Sequence, residues 1–201
     1  IHFQAAGVAR KLPTMNPLLA RILRRVHKMC YGGLALSSYG KEDPEALGMK
    51  RIDVLYNGLE DHAEGYSELA KTEDDHCEDD LLLYVGHICE DKGVPTLIRA
   101  FSSECRKNPN LKLRLVGQCL TPYTSEVLTE EINQSGVAEK IEVVGLLAGR
   151  ALDSAYKSAD VVIFPSVAPY ESFGLVLVEA MIWRKPIIAS NWRAASEVVG
   201  D

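Results

Sequence analysis

The sequence predicts an α/β protein built on a doubly wound parallel sheet of Rossmann type. Two observations carry that expectation. From Leu81 onward, short apolar runs rich in Val, Ile and Leu alternate with longer amphipathic stretches. This is the pattern of strands buried on both faces of a parallel sheet and joined by helices. Glycines then close three of the apolar runs, at Gly86-His87, Gly117-Gln118 and Gly145. Doubly wound sheets hold their ligands in a crevice at the carboxyl ends of their strands, where those glycines fall.

The bulk properties narrow the class. A chain of 201 residues suits one domain or one and a half, with room for a sizeable core. At 47% hydrophobic and 25% charged it has the composition of a soluble globular protein. The formal net charge of −6 argues against a general nucleic-acid binder. Five cysteines, with no C-x-x-C pair, suit a reducing compartment, here the cytoplasm, better than a disulfide framework or a zinc site. Neither a signal peptide nor an apolar stretch long enough to span a bilayer is visible. The chain begins IHFQ without an initiator Met and is expected to be a fragment or a processed product.

In chain order, Leu18, Leu19, Ile22, Leu23, Val26 and Met29 recur at helical spacing, interleaved with Arg21, Arg24, Arg25 and Lys28. Asn16 is a good N-cap, Pro17 fits the first turn, and Gly32-Gly33 should end the helix. This basic helix, residues 17–31, either presents a solvated charged face or makes peripheral contact with an anionic membrane surface. A strand at 34–36, a helix near 44–47 and a strand at 52–56 follow, closed by the turn signal Asn57-Gly58. Residues 61–80 are acidic and almost free of β-branched side chains, without EF-hand spacing, and read as a solvated linker. Three regions result: 1–60, the linker 61–80, and 81–201. In the last, strands are expected at 81–85, 112–116, 141–144, 161–164 and 186–189. Helices are expected at 95–106, 124–134, 151–158, around Glu179, and at 194–199.

The stretch Pro165 to Ala180, PSVAPYESFGLVLVEA, carries the chemistry. It follows the buried run Val161–Phe164, and its prolines turn the chain out of the sheet. The next run, Leu175-Val176-Leu177-Val178-Glu179-Ala180-Met181-Ile182-Trp183, is apolar on all sides except at Glu179. A carboxylate on a buried element needs a partner or a ligand, because an unpaired buried charge costs several kcal/mol. Glu171 stands at the mouth of the same element, with Ser172 a candidate N-cap and Gly174 between the two glutamates. Free N–H groups at such a helix N-terminus, beside a glycine, favour a bound phosphate. The alternative is a buried βα unit whose glutamates are incidental.

This string resembles the E-x7-E signature of retaining glycosyltransferases with the GT-B fold, closest to family 4, whose usual form is PS-x-x-E-x-FGL-x-x-x-EAM. Glu171, Phe173, Gly174, Leu175, Glu179, Ala180 and Met181 match. Upstream, Val85, Gly86, Lys92 and Gly93 match the family's VGR-x-x-x-x-KG, with His87 at the arginine position. The resemblance runs from Ser37-Ser38 and Val54-Leu55-Tyr56-Asn57-Gly58 to the end of the chain. It implies a doubly wound, Rossmann-like donor domain, most of it present, preceded by the end of a second Rossmann-like domain, the acceptor domain, and a piece expected to be inactive alone.

By that resemblance the reaction moves a sugar from a UDP-, GDP- or ADP-type donor to an acceptor with retention of configuration. Glu179 would bind the ribose hydroxyls and Glu171 the sugar end. Lys92, Gly86, His87 and the N–H groups of Phe173, Gly174 and Leu175 would take the diphosphate, with Lys92 and Glu171 catalytic. A transition state that charges the diphosphate gains from cations; lysine supplies one at any physiological pH, histidine only partly near neutrality. No metal or cofactor is implied. Besides His87, two stretches depart from the pattern: Arg184 stands where the family carries a helix-ending glycine, and Arg193-Ala194 where it carries Gly-Gly. A side chain at Arg193 would fill space that a donor sugar occupies, or bind an acidic sugar or a phosphate. A catalytically inactive nucleotide-binding or scaffold module is the alternative reading. An α-glucan phosphorylase-type protein is disfavoured, since no lysine motif for pyridoxal phosphate is apparent.

Overall fold

The computed structural model describes residues 2–3, 7–59 and 80–200. The acidic stretch expected to be a linker therefore lies almost wholly outside the described residues. In chain order the elements are β1 (His2–Phe3), α1 (Val8–Lys11), α2 (Pro17–Lys28), β2 (Gly33–Ala35), α3 (Glu42–Ala46), β3 (Ile52–Val54), β4 (Asp80–Val85) and α4 (Val94–Cys105). They continue as β5 (Leu111–Val116), α5 (Ser125–Gln134), β6 (Ile141–Gly145), α6 (Arg150–Ser158), β7 (Val161–Phe164), α7 (Leu175–Ile182), β8 (Ile187–Ala189) and α8 (Ala195–Val199). Two compact units result. One comprises Ile1–Gly58, Ala168–Leu175 and Asn191–Asp201, the other Leu59–Val167 and Val176–Ser190.

The second unit holds the doubly wound sheet. Its strands are all parallel, in the order β6-β5-β4-β7-β8, with Val85 opposite Val116 and Leu83 opposite Val162. Successive residues of a strand point to opposite faces, and here both faces are covered. Tyr84, Leu113, Leu115 and Ile163 join one core cluster with Leu97, Phe101 and Cys105 of α4 and Leu128 and Ile132 of α5. Leu83, Val116 and Val162 turn the other way, against Ala155 and Tyr156 of α6 and Ala180 of α7. That double burial is why these strands read as unbroken apolar runs. The strands of this unit and helices α4, α5 and α6 begin and end within about two residues of expectation, and α7 contains Glu179 as expected.

In the first unit β1, β2 and β3 form a parallel sheet in that order. Helix α2 starts as its sequence implies: the Asn16 side-chain oxygen accepts from the N–H of Leu18 at 2.9 Å, and Pro17 is the first helical residue. Its end differs. The helix closes at Lys28 with Met29 as C-cap, so Gly32-Gly33 do not terminate it. Gly33 instead opens β2, its N–H donating to the Arg51 carbonyl at 2.9 Å. The expected strand at 52–56 is shorter, stopping at Val54. Ala20 and Leu23 of α2 pack with Leu12 and Leu47, while Leu18, Ile22 and Val26, at 68%, 50% and 51% exposed, and the C-cap Met29, at 82%, stay open.

Two carboxylates fasten this unit. Asp43, 3% exposed, accepts from the N–H groups of Gly7 at 2.8 Å and Ala9 at 2.7 Å, capping α1 from a distant element. Glu197 accepts from the Ser38 N–H at 2.9 Å and from the Tyr56 hydroxyl at 2.7 Å. The segment 168–175 is tied in by Ser37, whose hydroxyl donates to the Ser172 carbonyl at 2.7 Å, and by Trp192, whose ring N–H donates to the Ala168 carbonyl at 2.9 Å.

Burial alone would push the Glu197 carboxyl up, but the hydrogen bonds from Ser38 and Tyr56 outweigh it and hold the group below the usual glutamate range. A depressed folded-state value contributes stability above the unfolded pKa of about 4.3, and that contribution is lost as pH falls through the folded value. Denaturant titrations of wild type and Glu197→Gln from pH 7 to pH 3 check this. The wild type should lose more stability on acidification than the mutant; parallel curves would remove Glu197 from the fastening.

Candidate functional site

In the second unit the loops leaving β4, β5 and β7 are stitched together beyond the sheet. The Gly86 N–H donates to the Val116 carbonyl at 3.0 Å, Ile88 N–H to Gln118 at 2.8 Å, and Leu120 N–H to Ile88 at 3.1 Å. Val167 N–H donates to the Asp91 carbonyl at 2.9 Å. Gly93 has φ +76°, and a Cβ there would stand 2.1 Å from the Pro165 carbonyl oxygen. No other residue fits both the left-handed backbone and that approach. Lys92 thus sits, half-buried, between two residues anchored to the end of β7. The His87 ring is exposed, while its carbonyl accepts from the Tyr84 hydroxyl at 2.6 Å. The backbone at the family's arginine position is fixed and its side chain faces solvent.

The E-x7-E stretch crosses from one unit to the other at the first residue of α7. On the first side, Glu171 is 9% and Phe173 5% exposed. The Glu171 N–H donates to the Ala168 carbonyl at 3.1 Å, and the Phe173 ring lies 6.0 Å from that of Tyr56. Gly174 has φ +87°. This left-handed residue turns the chain immediately before Leu175, so the N-cap position belongs to Gly174 and not to Ser172. Ser172 contributes its carbonyl to Ser37 instead.

On the other side, Glu179 is half-buried within the apolar sequence of α7. The Tyr156 hydroxyl of α6 donates to its Oε2. Tyr156 is 1% exposed; burial first, and then the adjacent carboxylate, push its phenol far above the ordinary tyrosine range. It is therefore a hydrogen-bond donor at every pH the fold tolerates. Oε1 of Glu179 accepts no hydrogen bond among the described residues. The carboxylate is oriented by one oxygen and open at the other. Tyr156 was not singled out by sequence, because an aromatic residue on the inner face of α6 reads as one more core position.

Helix α7 ends in a Schellman motif. Lys185 N–H donates to the Ala180 carbonyl at 2.9 Å, Arg184 N–H to Met181 at 2.9 Å, and Arg184 takes φ +53°. Arg193 takes φ +50°, and these are the only non-glycine residues with positive φ among those described. Both stand where the sequence departs from a glycine, and the backbone keeps the glycine conformation at each.

A cavity of about 840 Å³ opens at the other end of the same unit, among the amino-terminal residues Leu81, Lys112 and Ile141 of three strands. Its basic Arg114 pairs with Glu142 at 2.7 Å and with Ser158 at 3.1 Å. None of the residues marked by sequence lines it. Among the described residues, no cluster of His, Cys, Asp and Glu is arranged to hold a metal ion, and no helix is long and apolar enough to cross a membrane.

An open parallel sheet with helices on both faces and stitched, glycine-bearing loops at its strand ends defines a doubly wound α/β domain of Rossmann type. The chain belongs to the glycosyl transferases of group 1, whose family model matches residues 68–201. It is 30% identical over 159 residues to an uncharacterized glycosyltransferase of Methanocaldococcus jannaschii, covering 74% of this chain and 38% of that protein. It is 29% identical over 189 residues to the phosphatidyl-myo-inositol mannosyltransferase of Mycobacterium leprae, covering 90% of this chain and 46% of that one. Among solved structures, HepE of Anabaena in complex with UDP and glucose superposes with TM-score 0.77 at 21% identity, over 100% of this chain and 55% of its own. The fold is that of GT-B glycosyltransferases. The chain spans less than half the length of the curated relatives it matches.

Proposed function

We propose that this chain is the donor-binding part of a retaining glycosyltransferase of family 4, together with the tail of its acceptor domain. The observation that carries the reading is Glu179: a carboxylate in an otherwise apolar helix, oriented by Tyr156 and open at Oε1. An acceptor so placed suits a ribose hydroxyl, since hydrogen bonds to a charged group are the strong ones. Lys92, the His87 loop and the N–H groups of Phe173, Gly174 and Leu175 take the diphosphate, where the positive end of the α7 dipole adds to the lysine charge.

In the reaction the bond from the sugar's anomeric carbon to the diphosphate oxygen breaks. Negative charge grows on that oxygen, and these groups stabilise it. The acceptor hydroxyl oxygen bonds to the anomeric carbon on the same face of the sugar and its proton passes to the departing diphosphate oxygen, with Glu171 contacting the transferred residue. The donor is a UDP-, GDP- or ADP-sugar; the UDP complex of the HepE relative favours testing uridine first. The reading calls for no metal or cofactor.

The test is nucleoside diphosphate affinity by calorimetry. Glutamine at residue 179 keeps an acceptor for Tyr156 but loses the charge. Glu179→Gln should weaken binding by about 1.5–3 kcal/mol with an unchanged circular dichroism spectrum. Equal affinity in a folded mutant would overturn the role. The competing reading, a module that binds nucleotide without transferring sugar, is motivated by the buried Arg193. Donor hydrolysis or transfer by the full-length protein separates the two.

The same reading puts the protein in the cytoplasm, in peripheral contact with the membrane through α2. Exposed Leu18, Ile22 and Val26, with the C-cap Met29, accompany Arg21, Arg24, Arg25 and Lys28, a combination that suits an anionic bilayer surface. Sedimentation with phosphatidylglycerol vesicles should remove wild type from solution and leave an Arg21→Glu, Arg25→Glu variant behind. Equal sedimentation of the two would exclude the contact.

A further inference from the structure

Arg193 is a buried cation that the fold leaves incompletely compensated. Its side chain is 7% exposed. Its Nε is buried without a hydrogen-bond partner, and its guanidinium donates no hydrogen bond to any described residue. The nearest carboxylate, Glu42, lies 3.7 Å from Nη1, beyond hydrogen-bonding distance, and is itself 55% exposed. The face of Trp192, 5.9 Å away, gives a weak cation–π contact. Arginine stays protonated at any physiological pH, so the charge cannot be relieved by losing a proton.

The backbone adds a second, independent cost. At φ +50° Arg193 occupies the left-handed region, which penalises every residue with a Cβ and which glycine enters freely. Strain at one residue, combined with a buried charge short of partners, is the signature of a group kept for a ligand rather than for the fold. The residue lies between β8 and α8, in the same compact unit as Glu171, the carboxylate read as contacting the sugar.

We propose that Arg193 determines specificity for a sugar carrying an oxyanion, a carboxylate or a phosphate. A planar guanidinium matches either group with two parallel N–H···O bonds. Glu42, exposed and only loosely engaged, is displaced when that anion arrives. The proposal deepens the nucleotide-sugar reading and rests on it, by adding an acidic sugar, such as a hexuronic acid on the donor or a phosphorylated sugar on the acceptor, to the class of substrates.

The test compares affinities for UDP-glucose, UDP-glucuronate, glucose and glucose 6-phosphate in wild type, Arg193→Gly and Arg193→Lys. Glycine suits the positive φ, so the Gly variant should fold, and its circular dichroism and melting are recorded alongside. Wild type should bind at least one acidic probe about ten-fold or more tightly than its neutral counterpart. Arg193→Gly should abolish that preference while changing affinity for the neutral sugars less than about two-fold, and Arg193→Lys should keep part of it.

Preference for UDP-glucuronate alone assigns the anion to the donor; preference for glucose 6-phosphate assigns it to a phosphorylated sugar. Absence of preference in wild type, or its survival in Arg193→Gly, overturns the proposal and leaves Arg193 as a structural partner of Glu42. Failure of the nucleotide reading looks different. UDP itself would then not bind, while any Arg193-dependent preference for glucose 6-phosphate over glucose would persist.

Discussion

The hydrogen bond from Tyr156 to Glu179 is the contact on which the proposed donor-binding side of this molecule turns. Helix α7 carries a single polar side chain, and it is a carboxylate. A charge in that position would cost several kcal/mol if left alone. The phenol of Tyr156, itself 1% exposed, meets it from the neighbouring helix on the same face of the sheet. One bond therefore offsets part of the cost of burying the charge, sets α6 against α7, and fixes which carboxylate oxygen stays open. Because burial holds the tyrosine protonated, it donates to Oε2, and Oε1 is left to face whatever approaches.

That open oxygen would be of little use on a mobile frame, and the backbone around the strand ends is tightly constrained. The loops after β4 and β5 extend the strand ladder by backbone hydrogen bonds, and Gly93 approaches the Pro165 carbonyl more closely than any side chain allows. Lys92 is carried by this framework. At Arg184 and Arg193 the constraint runs the other way, because the backbone demands a glycine conformation and the sequence supplies arginine. At Arg184 the Schellman hydrogen bonds of α7 account for the geometry. At Arg193 no such local motif does, and there a buried side chain accompanies the left-handed backbone.

Much of this was legible in the sequence for a physical reason. A strand buried on both faces has no polar positions, so β4, β5 and β7 announced themselves as apolar runs. A lone carboxylate in α7 announced a need for a partner. The glycine departures at Arg184 and Arg193 marked positions where the backbone indeed takes positive φ. Contacts made across the chain were not legible. Nothing local to Asp43 says that it caps α1, nor to Glu197 that it receives Ser38 and Tyr56. Tyr156 was hidden because a hydroxyl on a buried ring leaves the hydrophobic pattern unchanged. Ser172 misled in the opposite sense: a good capping residue stood two positions before the left-handed Gly174, which starts the helix in its place. Gly32-Gly33 had the composition of a helix stop, yet α2 had already closed and β2 needed the second glycine.

A double-mutant cycle on nucleoside diphosphate affinity decides whether Tyr156 and Glu179 act as one device. The four proteins are wild type, Tyr156→Phe, Glu179→Gln and the double mutant, each titrated calorimetrically with UDP, GDP and ADP. If the phenol orients the carboxylate for the ligand, Tyr156→Phe alone weakens binding, and the two losses fall short of additivity by about 0.5–3 kcal/mol. Full affinity in Tyr156→Phe, or strictly additive losses, would mean that the hydrogen bond serves only the fold and that Glu179 does not read the nucleotide through it.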